Sequence, residues 1–546
     1  MSWRRVTLEN AAILAVFGAA IALIHPRGNF PLNDDWDFAI ATWSFARTGH
    51  FHFTNFTAVS LRAMVLWGAA WTRLFGQSFE VLRASTLVLS AATLMIVNAL
   101  LRRTGVSTFP RIIATLAFAF HPIFIWASCT YMTEVPFVFA SALALLLFER
   151  ALSEDRLGLA VAATLCAIAS WFVRQTGVTN LFAPLAIVLI ERNALTRRWR
   201  HYAALLGGAL VFFALLLAFK RDWLAGSVAE FGQHFEVWNE VTFRLPEQVA
   251  QADHYIVFNL QNLALFLLPL TIPLVFACVR RWKLWEIVGV VATAAIVLAR
   301  VYDLVAQGHP IPYFASPWCC DILAGNILTN WGLGPQTLSD VWSYHGSYPL
   351  QLTMGARMLL TYGSAFLASV LAVELIRALA RARPIIVRLA IGTAIAGTMA
   401  LVGSGIYVDR YAYDSAWSIA LVLPLLIPWR LRAARVVAVV ALAAIALFDV
   451  CAMHDYFGWN RARWDAIASL RSNGVAVTDI DGGSEAENFL EKWSMTRQEW
   501  RRALANPPRR YLVAFAPKPG YRVVARYPWR IWLGSRDAAV VTLQRL

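Results

Sequence analysis

The sequence predicts a polytopic α-helical membrane protein of about thirteen transmembrane helices with a small soluble α/β domain at its C-terminus. Three observations predict it. Of 546 residues, 59% are hydrophobic and only 15% charged, and the mean hydropathy is +0.56, whereas soluble domains run at about 45–50% apolar and about 25% charged. The apolar residues are gathered into long runs separated by short, arginine-rich breaks, and from His454 onward the composition becomes that of a soluble domain. Together these exclude a soluble enzyme, a nucleic-acid binder and a secreted disulfide scaffold. The net charge of +15 becomes a signal of topology rather than of an acidic partner.

A spanning helix needs about 20 apolar residues. Runs of that kind lie near 10–25, 82–101, 112–128, 134–150, 157–173, 177–191, 202–219, 257–279, 285–304, 352–376, 387–407, 412–429 and 433–452. Alternate breaks collect positive charge: Arg4 and Arg5, then Arg102, Arg103 and Arg111, then Arg150 and Arg156, then Arg197, Arg198 and Arg200. The same side continues with Arg280, Arg281 and Lys283, with Arg377 to Arg388, and with Arg430, Arg432 and Arg435. Cytoplasmic loops carry the Lys and Arg excess, so the N-terminus is expected inside, at the inner (plasma) membrane. The long loops 26–81, 220–256 and 305–351 and the tail are then extracytoplasmic. Two domains follow, 1–453 in the membrane and 454–546 outside. The first run reads as a retained span rather than a cleaved signal peptide, because the acidic loop just after it belongs with the membrane domain.

Six cysteines in this length suit no disulfide framework, and the adjacent Cys319 and Cys320 read as free thiols. There is no CxxC or HExxH spacing, and neither a P-loop nor a convincing dinucleotide fingerprint.

The first outer loop holds the chemistry. In residues 31–50 Trp36, Ile40 and Trp43 recur at helical spacing, which predicts a short amphipathic helix with its aromatic face on the bilayer surface. Asn33 or Asp34 can cap its start and Gly49 its end, and a second such helix runs from about Leu61 to Phe75. Asp34, Asp35 and Asp37 crowd its first turn. Capping plus solvated charge is one reading of them. Asp35-Trp36-Asp37 also matches the DxD pattern that holds a metal in soluble nucleotide-sugar transferases, so a divalent metal is left open, although no βαβ unit surrounds the pattern.

Further polar groups fall on the same outer side: Glu134 after the third span, Arg174-Gln175, Asp409-Arg410-Tyr411 in a very short break, and Arg62 in the first loop. Ionisable groups at such depth are costly and mark function by default, while snorkelling to headgroups is the alternative for each arginine. Two acids and up to three arginines on one face suit an acidic lipid.

The acidic pair after the first span, the interfacial helix ending in Leu-Phe-Gly, Glu134 and Arg410-Tyr411 resemble the GT-C glycosyltransferases, in particular the family of protein O-mannosyltransferases and the lipid A aminoarabinose transferase. The likeness covers residues 1–200 best, then the Arg410 region, and the tail segment Ile480 to Glu485 resembles that of many bacterial members. It implies transfer of a sugar from a polyprenyl phosphate to an acceptor hydroxyl of a glycolipid, polysaccharide or protein, with inversion. Asp35, Asp34 and Glu134 would be its catalytic carboxylates, and Arg62, Arg174, Arg410 and Tyr411 would hold the donor phosphate. Two departures matter. Asp34-Asp35 replaces the usual Asp-Glu pair, which leaves the catalytic aspartate open, and Thr57-Ala58-Val59-Ser60 replaces a proline-rich stretch, which leaves the substrate open. A lipid-linked saccharide transporter is the alternative of another class. It would place polar residues near mid-membrane with repeat symmetry, whereas the ionisable residues here cluster at the outer surface.

In the tail, residues 461–473 predict an amphipathic helix closed by Gly474, and the runs 475–480, 510–516, 521–527 and 538–544 predict strands.

Overall fold

A computed structural model describes residues 3–54, 57, 59–181, 184, 192–219, 252–278, 283–306, 323–324, 327–329, 332–334, 348–381, 384–404, 407–491 and 509–546. In chain order its first half holds α1 (Trp3–Ile24), α2 (Asp35–Thr48), α3 (Arg62–Phe75), α4 (Phe79–Arg103), α5 (Thr108–Ala119), α6 (Pro122–Ser128), α7 (Glu134–Glu154), α8 (Leu157–Trp171) and α9 (Arg192–Phe219). Then come α10 (Ala252–Phe266), α11 (Leu268–Cys278), α12 (Leu284–Ala306), the two-residue strands β1 (Leu323–Ala324), β2 (Leu328–Thr329) and β3 (Gly332–Leu333), α13 (Met354–Arg381) and α14 (Ile385–Ser404). The chain ends with β4 (Tyr407–Val408), α15 (Tyr413–Leu426), α16 (Arg432–Ser472), β5 (Ile480–Asp481), α17 (Ser484–Leu490), β6 (Tyr511–Ala514), β7 (Tyr521–Ile531) and β8 (Arg536–Arg545).

Among the described residues five helices are long and apolar enough to cross a membrane, or seven if each of two bent pairs counts as one span. Helices or bent pairs occupy the places of twelve expected spans, and the run 177–191 lies mostly outside the described residues. Both bends have local causes. Pro122 cannot extend α5, and His121, which accepts the Ile123 amide at 3.3 Å through Nδ1, caps the new helix at 62° to the old one. The 93° break between α10 and α11 falls at Leu267, where the Thr271 hydroxyl donates to the Ala264 carbonyl at 2.8 Å. Orientation is a matter for experiment: a reporter fused after Arg198 should be active only in the cytoplasm, and one after Leu546 only outside. A cytoplasmic C-terminus would remove the outer site altogether.

In the first loop α2 ends at Gly49, whose φ of +74° lets its amide reach the Phe45 carbonyl at 2.8 Å. Its aromatic face is turned into protein, not lipid. Trp36 and Trp43 are buried, Trp43 meeting Phe79 edge-on at 5.0 Å and Phe489 of α17 at 6.4 Å. By contrast α3 exposes Leu66, Leu74 and Phe75, a face that suits a bilayer surface. Tyr131 joins the two helices: its hydroxyl donates to the Met64 carbonyl at 3.0 Å and lies 3.0 Å from the Thr42 hydroxyl. Gly68 makes room for it, since a Cβ there would lie 2.0 Å from the phenol oxygen.

The tail forms a four-stranded sheet in the order β5-β6-β8-β7, with β5 and β6 parallel and the other pairs antiparallel. Three of the four expected strands fall at β6, β7 and β8. The run 475–480 is instead a short 3-10 turn followed by two strand residues, because Gly474 at φ +80° turns the chain sharply off the preceding helix. That helix is longer than expected: α16 passes without a break through residue 453. The sheet packs on it, and Asp455 accepts the amides of Trp532 (2.8 Å) and Leu533 (3.3 Å).

Candidate active site

The first turn of α2, the first turn of α7, the end of α8 and the 3-10 turn Asp409–Ala412 meet in one place. Asp34, just before α2, is 49% exposed and accepts Arg410 Nη2 at 3.0 Å. Glu134 accepts Arg174 Nη1 at 2.8 Å, and Asp414 lies 3.8 Å from the other end of the same guanidinium. Tyr411 stands between the two arginines, its ring 5.4 Å from Arg174 and 5.6 Å from Arg410. These contacts span 376 residues of sequence.

The two arginines are not equivalent. Arg174 is buried and already shared by two carboxylates. Arg410 spends one nitrogen on Asp34, while its Nε and Nη1 are buried with no hydrogen-bond partner among the described residues. Buried charged donors are rarely left so. One oxygen each of Glu134 and Asp414 is in the same condition. Arg174 therefore reads as the structural member: Arg174→Ala should leave two buried carboxylates without their direct partner, with only Arg410 nearby as countercharge, and cost about 3–5 kcal/mol, measurable as lost thermal stability in detergent. An unchanged melting temperature would show the cluster to be hydrated instead.

Asp34 and Asp35, adjacent in sequence, have different surroundings. Asp35 is 0% exposed and accepts the amides of Leu32 (2.8 Å) and Asn33 (3.1 Å). Burial pushes its carboxyl above the usual range, opposed by Arg83 and those amides. Asp37 accepts the hydroxyls of Thr54 (2.6 Å) and Thr57 (2.9 Å). Successive residues i and i+2 on a helix point apart, and here each acid binds its own partners. Asp35-Trp36-Asp37 does not fit a shared metal ion, and no other metal-holding group of three or more His, Cys, Asp or Glu occurs among the described residues.

Arg62 packs over Phe53 (5.4 Å) and Phe51 (6.0 Å) and donates to the Ser60 carbonyl. Its neighbours bind the segment leading to Arg174: Leu61 donates to Val173 (3.3 Å), Ala63 to Phe172 (3.1 Å), and the Ser60 hydroxyl to Trp171. Arg62 thus stands on the stretch of chain beside Arg174.

With this geometry in hand, the chain is similar to two crystal structures of ArnT from Cupriavidus metallidurans. One is in the apo state, at 12% identity, and the match covers 98% of this chain and 97% of that one with a TM-score of 0.38. The other is bound to undecaprenyl phosphate, at 11% identity, and the match covers 99% and 98% with a TM-score of 0.38. No family model matches the chain, and no curated protein does.

Asp414 and Arg83 escaped the sequence reading. Both sit at the ends of apolar runs, where they look like the edges of ordinary spans. The signal that could have found them is an ionisable residue inside a hydrophobic window, since Arg83 falls within the run 82–101 and Asp414 within the run 412–429.

Proposed function

We propose that this protein is an integral-membrane glycosyltransferase of the GT-C type, which moves a sugar from a polyprenyl-phosphate donor to an acceptor hydroxyl on the extracytoplasmic side. The observation that carries this is Arg410, which grips Asp34 with one nitrogen and keeps two buried donors unpaired among the described residues. An arginine fork suits phosphate oxygens, and a half-exposed carboxylate beside it suits an acceptor hydroxyl. Asp34 takes the acceptor proton as the oxygen forms its bond to the anomeric carbon, and the bond from that carbon to the phosphate oxygen breaks with inversion. Polyprenyl phosphate leaves with the electron pair. Its growing charge draws on Arg410, a gain larger in the transition state than in the ground state.

Arg62 would serve the donor phosphate or a neighbouring headgroup from the stretch of chain beside Arg174, and Tyr411 packs against both guanidinium groups. The acceptor is a glycolipid, polysaccharide or protein of the cell envelope. The test is reconstitution of the full chain in liposomes with a polyprenyl-phosphate sugar labelled in the sugar, presented with envelope extracts. Label on an acceptor with release of polyprenyl phosphate supports transfer. Transbilayer movement of intact donor without release would instead support the transporter.

A further inference from the structure

Tyr456 lies on α16, outside the site, and is 1% exposed. Its hydroxyl donates to the Leu32 carbonyl at 2.7 Å, while the Leu32 amide donates to Asp35 at 2.8 Å. The turn that carries Asp34 is therefore held through both faces of one peptide residue. Gly334 lies against the phenol ring: a Cβ there would come within 2.4 Å of it, and the glycine has φ +92°. The Gly334 amide donates to the Ile327 carbonyl at 2.7 Å. The amides of Ile327 and Leu328 in turn donate to the Asp409 carboxylate at 3.0 and 2.7 Å. Asp409 immediately precedes Arg410, and β1 pairs in parallel with β4 just before it. A continuous series of direct contacts thus runs from Leu32 to Asp409, passing around the Asp34–Arg410 pair.

We infer that Tyr456 is a positioning residue for the transfer reaction, fixing the separation of Asp34 and Arg410 through residues 327–329 and 332–334. This rests on the function proposed above. The segment works as a spacer: Gly334 packs on the ring of Tyr456, whose hydroxyl fixes the turn before α2, and the amides of Ile327 and Leu328 fix Asp409 in the turn before α15. Neither Tyr456 nor Asp409 needs to touch substrate for this. Misplacement by about 1 Å can cost about 100-fold in rate, so a spacer of this kind acts on turnover rather than on donor capture.

The test uses the full-length protein in liposomes. Tyr456→Phe removes the hydroxyl and keeps the ring against Gly334. Its kcat should fall about 10-fold to 100-fold with KM for the lipid donor and the melting temperature unchanged. Asp409→Asn loosens the other end, and the double variant should lose less than the product of the two single losses, because both release one spacer. A wild-type kcat in Tyr456→Phe, a loss confined to KM, or losses that multiply would each overturn the inference. A second readout needs no turnover: cross-linking of the Asp34→Cys/Arg410→Cys pair by a short bis-thiol reagent, followed by mass spectrometry. Slower cross-linking with Tyr456→Phe supports the spacer even if the protein transfers no sugar, and in that case only the proposed function falls. Unchanged cross-linking overturns the spacer whatever the activity.

Discussion

Asp34→Asn should reduce sugar transfer by about 10²–10⁴-fold, the usual share of general acid–base assistance, while the protein still folds and binds the lipid donor. Asparagine keeps the size of the side chain and one hydrogen-bond acceptor, so the contact to Arg410 Nη2 can persist in neutral form. What it cannot do is take a proton. Asp34 is half exposed, and Arg410, which loses its charged partner, keeps the amide oxygen as an acceptor and Glu134 as a nearby negative charge. The neighbouring substitution should behave differently. Asp35→Asn alters a fully buried group that accepts two amides and faces Arg83, so its effect should appear as lowered yield and melting temperature. Transfer per folded molecule is the measurement that separates them. Full turnover in Asp34→Asn, beside a well-folded but inactive Asp35→Asn, would move the base one residue along the chain.

Arg410→Lys should be nearly as damaging, with about 10²–10³-fold lost from kcat, the range for removing one donor from a developing oxyanion. Lysine carries the charge but brings a single ammonium where Arg410 presents a planar fork that engages Asp34 and still offers Nε and Nη1. If Arg410 were only a headgroup anchor, lysine would serve as well, since snorkelling asks for a long stem and a charge. The loss should fall on kcat more than on KM, because the charge it meets grows toward the transition state. Steady-state kinetics with a purified polyprenyl-phosphate sugar would decide it, and wild-type rates in Arg410→Lys would place the donor phosphate elsewhere.

The helices were legible because hydropathy and the need to satisfy backbone groups in lipid leave few options. Asp34, Glu134, Arg174 and Arg410 were legible as candidates because ionisable residues stand out against apolar runs. Their pairing was not. Nothing in local spacing says that Arg410 reaches Asp34, or that Asp414 shares Arg174 with Glu134, since such contacts are set by how distant helices pack. The division between Asp34 and Asp35 was equally hidden: both read as first-turn acids, and only the chain around them decides which one faces outward. Composition also marked a change of character at His454, yet a helix that leaves the membrane can continue unbroken. Residues 454–472 satisfy the same backbone pattern as those before them.

At about 1.5 Å per residue, the 41 residues of α16 extend about 60 Å, twice the roughly 30 Å hydrocarbon core of a bilayer. Arg461, partway along it, donates to the carbonyls of His25 and Arg27 at the end of α1, and Trp464 stacks on Phe30. The polar tail is thus not cargo on a tether. A gene fusion that grafted a foreign tail at residue 453 would sever a helix in mid-course and take Tyr456 with it, and the tail made alone would present Phe457 without Arg83 and Trp464 without Phe30. Exchange of tails between related proteins should therefore fail at either end of this helix: a crossover before α16 parts it from the first loop, and one after Gly474 parts it from the sheet it supports.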